Sequence, residues 1–402
     1  MEHEKQQSQI IMNQSINKND RIDVVDALRG FAIMGILLVH SLEHFIFPVY
    51  PTSSPQWLNV LDQGVFNVVF TLFAGKAYAI FAILFGFTFY IQHSNQKRRG
   101  GDFGYRFLWR LVLLIAFATL NAAFFPAGDV LLLFVAVGPI LFIARNWGNK
   151  AILITSIIFL LQPVEWYHYV ASLINPLHQL PDLKVGEMYA EVAEYTKSGN
   201  IKDFFLGNIT LGQKASLLWA VNAGRFFQTI GLFLLGFYFG RKQFFVSNKG
   251  NYNFWIKVLI ASAILFAPLY TLKEQVMTNE AMVQQTVGTV LDMWQKLAFT
   301  LVLVSSFNLL YHTPIFRKVV NNLRYYGKMS LTNYVAQSII GAIIYFPIGL
   351  YLAPYCGFAI SLLIGIVVLI AQIHLCKWWL SKHKRGPLEQ LWHKWTWIGT
   401  DR

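Results

Sequence analysis

The chain has 402 residues, 55% of them hydrophobic and 16% aromatic but only 13% charged, which leaves too few polar side chains to wet the surface of a soluble domain. Its formal net charge of +13 would suit nucleic acid if the basic residues formed a patch, but they lie between apolar runs, where they orient helices in a bilayer. Those runs, each of roughly 20 residues, recur along nearly the whole chain and predict an all-α, polytopic membrane protein without a large soluble domain.

The first 25 residues are polar and carry neither an apolar core nor a small-residue cleavage site, so they read as a cytoplasmic segment and not as a signal peptide. Apolar periodicity then predicts about ten helices, over about 27–47, 66–92, 106–125, 129–145, 150–170, 216–240, 253–272, 287–311, 329–350 and 355–376, in one transmembrane domain spanning 26–376. The longest loop, at about 171–215, is expected outside, and its VGEMYAEVAEYTKSG segment reads as an amphipathic helix over the outer face. Residues 377–402 mix Trp with Lys and His, as an amphipathic cytoplasmic tail anchored at the interface would. With both termini inside, 25 of the 33 Lys and Arg fall on the cytoplasmic side and six outside, leaving Lys76 and Arg225 within apolar runs. A one-helix miscount would scramble that excess, so the charge distribution supports the count and the N-in, C-in orientation together. Cys356 and Cys376 sit near opposite ends of one run and cannot pair within it.

Charges at membrane depth cost several kcal/mol unless they meet a partner, a cavity or water, so they mark the candidate site. In the first helix Asp26, Arg29, Ile33, Ile36, His40 and His44 share one face at spacings of three and four, a polar stripe from end to end. Its plain reading is an Asp26–Arg29 ion pair at the inner boundary with histidines reaching the outer one. Lys76, in FAGKAYAIFAILFGF, is expected nearer the outer surface, where snorkelling alone would accommodate it. Asp129 ends the PAGD turn at 126–129 and reads either as the N-cap of the next helix or as a buried functional carboxylate. In NAGRFFQTIGLFLLGFYFG, Asn222, Arg225 and Thr229 share a face and Gln228 lies beside it; Arg225 is too deep for a loop charge, which predicts an anionic partner such as Asp129 or a bound anionic ligand. Asn333 and Gln337 recur at an interval of four in GKMSLTNYVAQSIIGAIIYF, as either interhelical hydrogen-bonding groups or part of a substrate path. No Walker loop, serine-hydrolase elbow or metal-binding signature is present, so ATP-driven pumping and metallopeptidase activity have no support.

Six ordered segments together resemble the YeiB-like family of bacterial membrane proteins, whose C-terminal region is the domain of unknown function 418. They are DALRGFAIMGILL at 26–38, GKAYAIFAILFGF at 75–87, AGDVL at 127–131, GRFFQTIGLFLLG at 224–236, GKMSLTNYVAQS at 327–338 and RGPLEQLW at 385–392. The opening D-x-L-R-G is also similar to that of the transmembrane acyltransferases of the heparan-glucosamine acetyltransferase type. That resemblance implies transfer of an acyl group from cytoplasmic acyl-CoA, as co-substrate, to an extracytoplasmic glycan or lipid acceptor. Asp26 and Arg29 would then hold the inner end of the donor path. A histidine on the outer half would act on the acceptor. Two positions depart from the pattern: His40 stands where that family has Asn, and Asn121 where a histidine precedes the GD turn. His40 and His44 are therefore alternative bases.

The expected function is thus a transmembrane acyltransferase of a bacterial inner membrane, with His40, His44 and Asp129 as catalytic candidates. Asp26, Arg29, Lys76, Arg225, Gln228, Asn333 and Gln337 are the candidates for binding donor or substrate. The alternatives are a transporter or exporter of a small anionic solute, using the same Lys76, Arg225 and Asp129, and a membrane component without turnover. The expected partners are the bilayer and a glycan or lipid acceptor, with no metal and no nucleic acid.

Overall fold

The computed structural model describes residues 23–52 and 54–399; of the polar segment predicted over 1–25, residues 1–22 lie outside the described residues. These residues form helices and connecting turns, without strands. In chain order the helices are α1 (Asp23–Leu42), α2 (Gln56–Phe73), α3 (Lys76–Arg98), α4 (Gly104–Phe124), α5 (Leu131–Ala144), α6 (Asn149–Leu160), α7 (Pro163–Ile174), α8 (Val185–Ser198), α9 (Ile201–Asn222), α10 (Arg225–Lys242), α11 (Lys249–Val276), α12 (Ala281–Tyr311), α13 (Pro314–Lys328), α14 (Ser330–Tyr345), α15 (Phe358–Lys382) and α16 (Pro387–Thr396).

Six of these are long and apolar enough to cross a membrane when α2 and α3 are taken together, or eight if the bent pairs α6–α7 and α9–α10 each make one span. Ten were expected, and the difference has local causes. The run at 150–170 breaks at Gln162, whose φ of 60° ends one helix before Pro163 opens the next. The run at 216–240 breaks at Gly224, with a bend of 78°. The helices predicted over 129–145 and 329–350 are reduced to α5 (Leu131–Ala144) and to the 16 residues of α14, each under about 25 Å at helical rise and short of the roughly 30 Å hydrocarbon thickness.

Two glycine crossings set how the helices meet. A Cβ on Gly236 of α10 would lie 1.8 Å from the carbonyl oxygen of Ile83, and one on Gly86 of α3 would lie 2.0 Å from that of Phe233, so α3 and α10 touch backbone to backbone. Gly30 of α1 and Gly327 of α13 do the same against Leu323 and Asp26.

The bundle gathers its basic connections at one end. There Arg145 pairs with Asp102 at 3.5 Å, Arg241 donates to the carbonyl of Arg145 at 2.7 Å, and Arg106 donates to that of Thr396 at 3.2 Å. The tail, expected as an interfacial anchor, is docked on the bundle. Glu389 of α16 accepts from the backbone N–H groups of Leu331 (2.7 Å) and Thr332 (3.1 Å) and from the Thr332 hydroxyl (2.6 Å), so it caps the start of α14 from another helix. Arg110 lies over the Trp392 ring at 3.9 Å. At the opposite end Tyr189 of α8, the expected amphipathic outer helix, donates to the Ala127 carbonyl at 3.0 Å. Its Met188, Val192 and Thr196 face inward at the four-residue spacing of a helix stripe.

Two measurements test this arrangement. Gly236→Val forces a side chain into the Ile83 carbonyl and is expected to cost at least about 2 kcal/mol, read as a lower melting midpoint or loss of a monodisperse peak on size exclusion. In a background with Cys356 and Cys376 replaced by Ser, Lys184→Cys is expected to react with a membrane-impermeant maleimide on intact cells, and Arg99→Cys only after permeabilisation; the reverse pattern would invert the orientation.

Candidate functional site

A cavity of about 710 Å³ opens at the α8 end of the bundle, between α1, α3, the 126–130 turn, α9, α10 and α12. It collects five of the sequence candidates: His40, His44, Lys76, Asp129 and Arg225. The other five do not line it. Arg29 is hydrogen-bonded to Asp26 at 3.0 Å and to the Thr88 hydroxyl at 2.9 Å, near the basic end. Between that pair and His40 the stripe is interrupted by Ile33, which is fully buried. Gln228 donates to the Met293 carbonyl at 3.3 Å, and Asn333 to that of Tyr326 at 2.9 Å. Gln337 is fully buried, and both its polar atoms lack hydrogen-bond partners.

The floor of the cavity is made by the starts of α3 and α10. Each follows a glycine in the left-handed region, Gly75 at φ 75° and Gly224 at φ 68°, a conformation open to glycine at little cost. Each begins with a cation, Lys76 or Arg225, has no acid in its first turn and has no side-chain cap. This reverses the usual preference, since a helix N-terminus carries partial positive charge and favours acids. The two starts are tied together by a hydrogen bond between the hydroxyls of Tyr78 and Thr229. Lys76, expected nearer the outer than the inner surface, opens α3 at the cavity end of the bundle, and Ala77 beside it packs on Gly35 of α1, so this charge is buried among helices.

No carboxylate lies within 4.0 Å of Lys76 or Arg225 among the described residues. Lys76 donates to the Phe70 carbonyl at 3.4 Å and is 4% exposed. The Arg225 guanidinium sits 4.5 Å from the Trp219 ring and 5.3 Å from that of Tyr78. The expected Arg225–Asp129 pair is not formed, because the Asp129 carboxylate is engaged elsewhere. One oxygen accepts from Asn121 at 2.9 Å and the other from the Leu132 N–H at 3.0 Å, so the Asp129 side chain, one residue before the N-cap Val130, satisfies the first turn of α5 and is also part of the cavity wall. Asn121 is in turn fixed by Ser338 at 2.8 Å.

The histidines close one wall. The His40 ring lies 4.5 Å from that of Phe125 and 5.4 Å from that of His44, and its Nδ1 is buried without a hydrogen-bond partner. His44 Nδ1 stands 3.5 Å from a carboxylate oxygen of Glu43.

Several lining residues escaped the sequence reading. Lys273 and Lys296 were counted as outer loop charges, yet both face the cavity and share Asp292: Lys296 is in direct contact with it and Lys273 is 3.8 Å away. The spacing of Asp292, Gln295 and Lys296, three and four apart on α12, carried a signal of a polar helix face. So did the repetition of Ala-Gly-cation at 74–76 and 223–225. Glu43 carried none, because it stands just past the end of α1, where a charge is ordinary.

Fold and site together define a polytopic, all-helical membrane protein with a cationic cavity at one end. In its C-terminal part, residues 239–399 match the model of the family described as protein of unknown function (DUF418). The whole chain is similar to the uncharacterized protein YxaH of Bacillus subtilis (strain 168), with 26% identity over 94% of this chain and 95% of that one. It is also similar to an uncharacterized 39.9 kDa protein in the amylase 3′ region of Bacillus acidopullulyticus, with 24% identity over 94% of each. No solved structure matches it.

The Glu43 carboxyl sits beyond the end of α1. Burial at the cavity wall pushes it up, but His44 beside it, then Arg225 and His40, outweigh that and hold it down to about 2 from 4.5. A carboxyl held down in the folded state adds stability above its unfolded value and loses it as pH falls through the folded one. The melting midpoint is therefore expected to fall from about pH 4.5 toward pH 2, and Glu43→Gln to flatten that limb; an unchanged acid limb in the variant would remove Glu43 from the electrostatics of the cavity.

Proposed function

We propose that the cavity binds an anionic substrate from the outer side of a bacterial inner membrane and that the chain is an acyltransferase acting on a glycan or lipid acceptor there. The observation that carries this reading is the convergence of an unpartnered buried imidazole, His40, with two deep cations lacking carboxylate partners, Lys76 and Arg225, on one cavity. An imidazole takes a proton from an attacking hydroxyl, and a nearby cation steadies the oxyanion that forms on the acyl carbonyl. In the balanced step the acceptor oxygen bonds to the acyl carbon and the carbon–sulfur bond of the thioester breaks. The proton taken by His40 then passes to the leaving thiolate.

The donor in this reading is cytoplasmic acyl-CoA, entering by the Asp26–Arg29 end of α1. Eleven residues separate Arg29 from His40, about 16 Å at helical rise and comparable with the reach of a pantetheine arm. Because Ile33 closes the stripe between them, donor entry requires the packing around α1 to open.

One observation favours a second reading, transport of a small anionic solute. Both α2–α3 and α9–α10 are interrupted helices whose second halves start at the cavity floor. Half-helix N-termini that face an anionic substrate are a recurrent device of secondary transporters. The two readings separate in purified protein: acyl-CoA consumption with candidate glycan acceptors marks the enzyme, whereas CoA-independent anion flux in liposomes marks the transporter. For the enzyme, His40→Ala is expected to lower turnover by about 10²–10⁴, the usual weight of a general base, and His44→Ala by less. Undiminished turnover in both variants would refute the histidine role.

A further inference from the structure

The paired starts of α3 and α10 are electrostatically unfavourable as they stand. Each places a cation at its first position, with no acid in its first turn and no side-chain cap, and each adds the partial positive charge of its own unsatisfied N–H groups. The Gly86 and Gly236 crossing and the Tyr78–Thr229 hydrogen bond hold the two starts side by side, so they cannot relax apart. Lys296 adds a third cation, its side chain running across Gly75 where a Cβ would meet it at 2.8 Å. Two neighbouring helices that break the same local rule toward one cavity mark a site built for a ligand. Independently, His40, 8% exposed, lines the same cavity and has its Nδ1 buried without a hydrogen-bond partner.

Charge accounting selects the ligand class. Lys76, Arg225, Lys273 and Lys296 contribute four positive charges to the cavity wall, and Asp292, Glu43 and Asp129 three negative ones, leaving one. Two helix N-termini at roughly half a charge each raise the excess to about two. A carboxylate leaves half of that uncompensated; a phosphate monoester, at about −1.5 to −2 near neutral pH, matches it. Its oxygens also suit donors arriving from two helices at once.

We infer that the Gly75–Lys76 and Gly224–Arg225 helix starts form a phosphate-binding floor, so that the ligand of this cavity carries a phosphate group, from a free phosphorylated solute or a lipid headgroup. This deepens the reading of an anionic substrate and rests on it, but not on acyl transfer.

The test uses the purified full chain in detergent, titrated at constant ionic strength with sodium phosphate and separately with sodium acetate, reading the melting midpoint. For the lipid source, nanodiscs of phosphatidic acid are compared with nanodiscs of a neutral diglycosyl lipid. Phosphate is expected to stabilise the protein and acetate not to. Lys76→Gln and Arg225→Gln are each expected to weaken the phosphate response by about tenfold or more, the scale of a lost charge-assisted contact, while Lys97→Gln at the opposite end leaves it unchanged and Lys76→Arg retains most of it. Stabilisation by phosphatidic acid that abolishes the phosphate response supports the inference and assigns the lipid source. If a neutral variant does not fold, protection of Lys76 and Lys296 by phosphate against an amine-reactive reagent, read by peptide mass, carries the test in the unmodified chain. Equal responses to acetate and phosphate, both lost in the variants, would overturn the phosphate assignment and leave the anionic cavity standing. No response to either anion or to phosphatidic acid would overturn both.

Discussion

A charge that cannot reach water must be matched where it stands, and the upper half of this molecule is organised around two charges that cannot. Lys76 and Arg225 begin helices deep in an apolar bundle, with no carboxylate beside them. In a continuous helix such side chains would press into packed neighbours at a cost of several kcal/mol. The glycine breaks at 75 and 224 instead turn them onto a shared cavity. Aromatic faces on Trp219, Tyr78 and Phe299 supply part of the compensation. The rest falls to the cavity itself, through its water or its ligand.

That arrangement needs a rigid base, which the opposite end provides. There the connections are pinned by charge-assisted bonds between loops and helices, and Glu389 caps α14 from the tail. The glycine crossings carry this rigidity upward, since backbones in direct contact leave no slack for sliding. The cavity end is built differently, with charged side chains lining a pocket whose wall is shared with the surface helix α8. Fixed helices below an open, polar pocket are what a binding site requires.

The segments that carry the family resemblance are contact pairs. GKAYAIFAILFGF supplies Lys76, Tyr78 and Gly86, and GRFFQTIGLFLLG supplies Arg225, Thr229 and Gly236: a cation, a hydroxyl and a glycine from each side of one crossing. RGPLEQLW supplies the Glu389 cap, and GKMSLTNYVAQS the Leu331 and Thr332 groups it caps. Acyl transfer and anion transport differ in the fate of the ligand more than in the site that first holds it. Both begin with an anion over the same floor.

The amino-acid order by itself determined the class of protein, because apolar runs of membrane length and a polar scarcity admit no other solvent. It also singled out Lys76, Arg225, Asp129 and the two histidines, because a charge inside an apolar run is conspicuous in one dimension. What it left open depended on distances between segments. Asp129 was a plausible partner for Arg225 until Asn121 and the start of α5 were seen to occupy its oxygens. Lys273 and Lys296 looked like loop charges, since nothing along the chain tells a cation facing water from one facing an internal cavity. Gly75 and Gly224 lie about 150 residues apart, and only the packing of α3 on α10 makes them one site. Hydrophobic periodicity reports which face of a helix is buried; which other face meets it is decided by the fold.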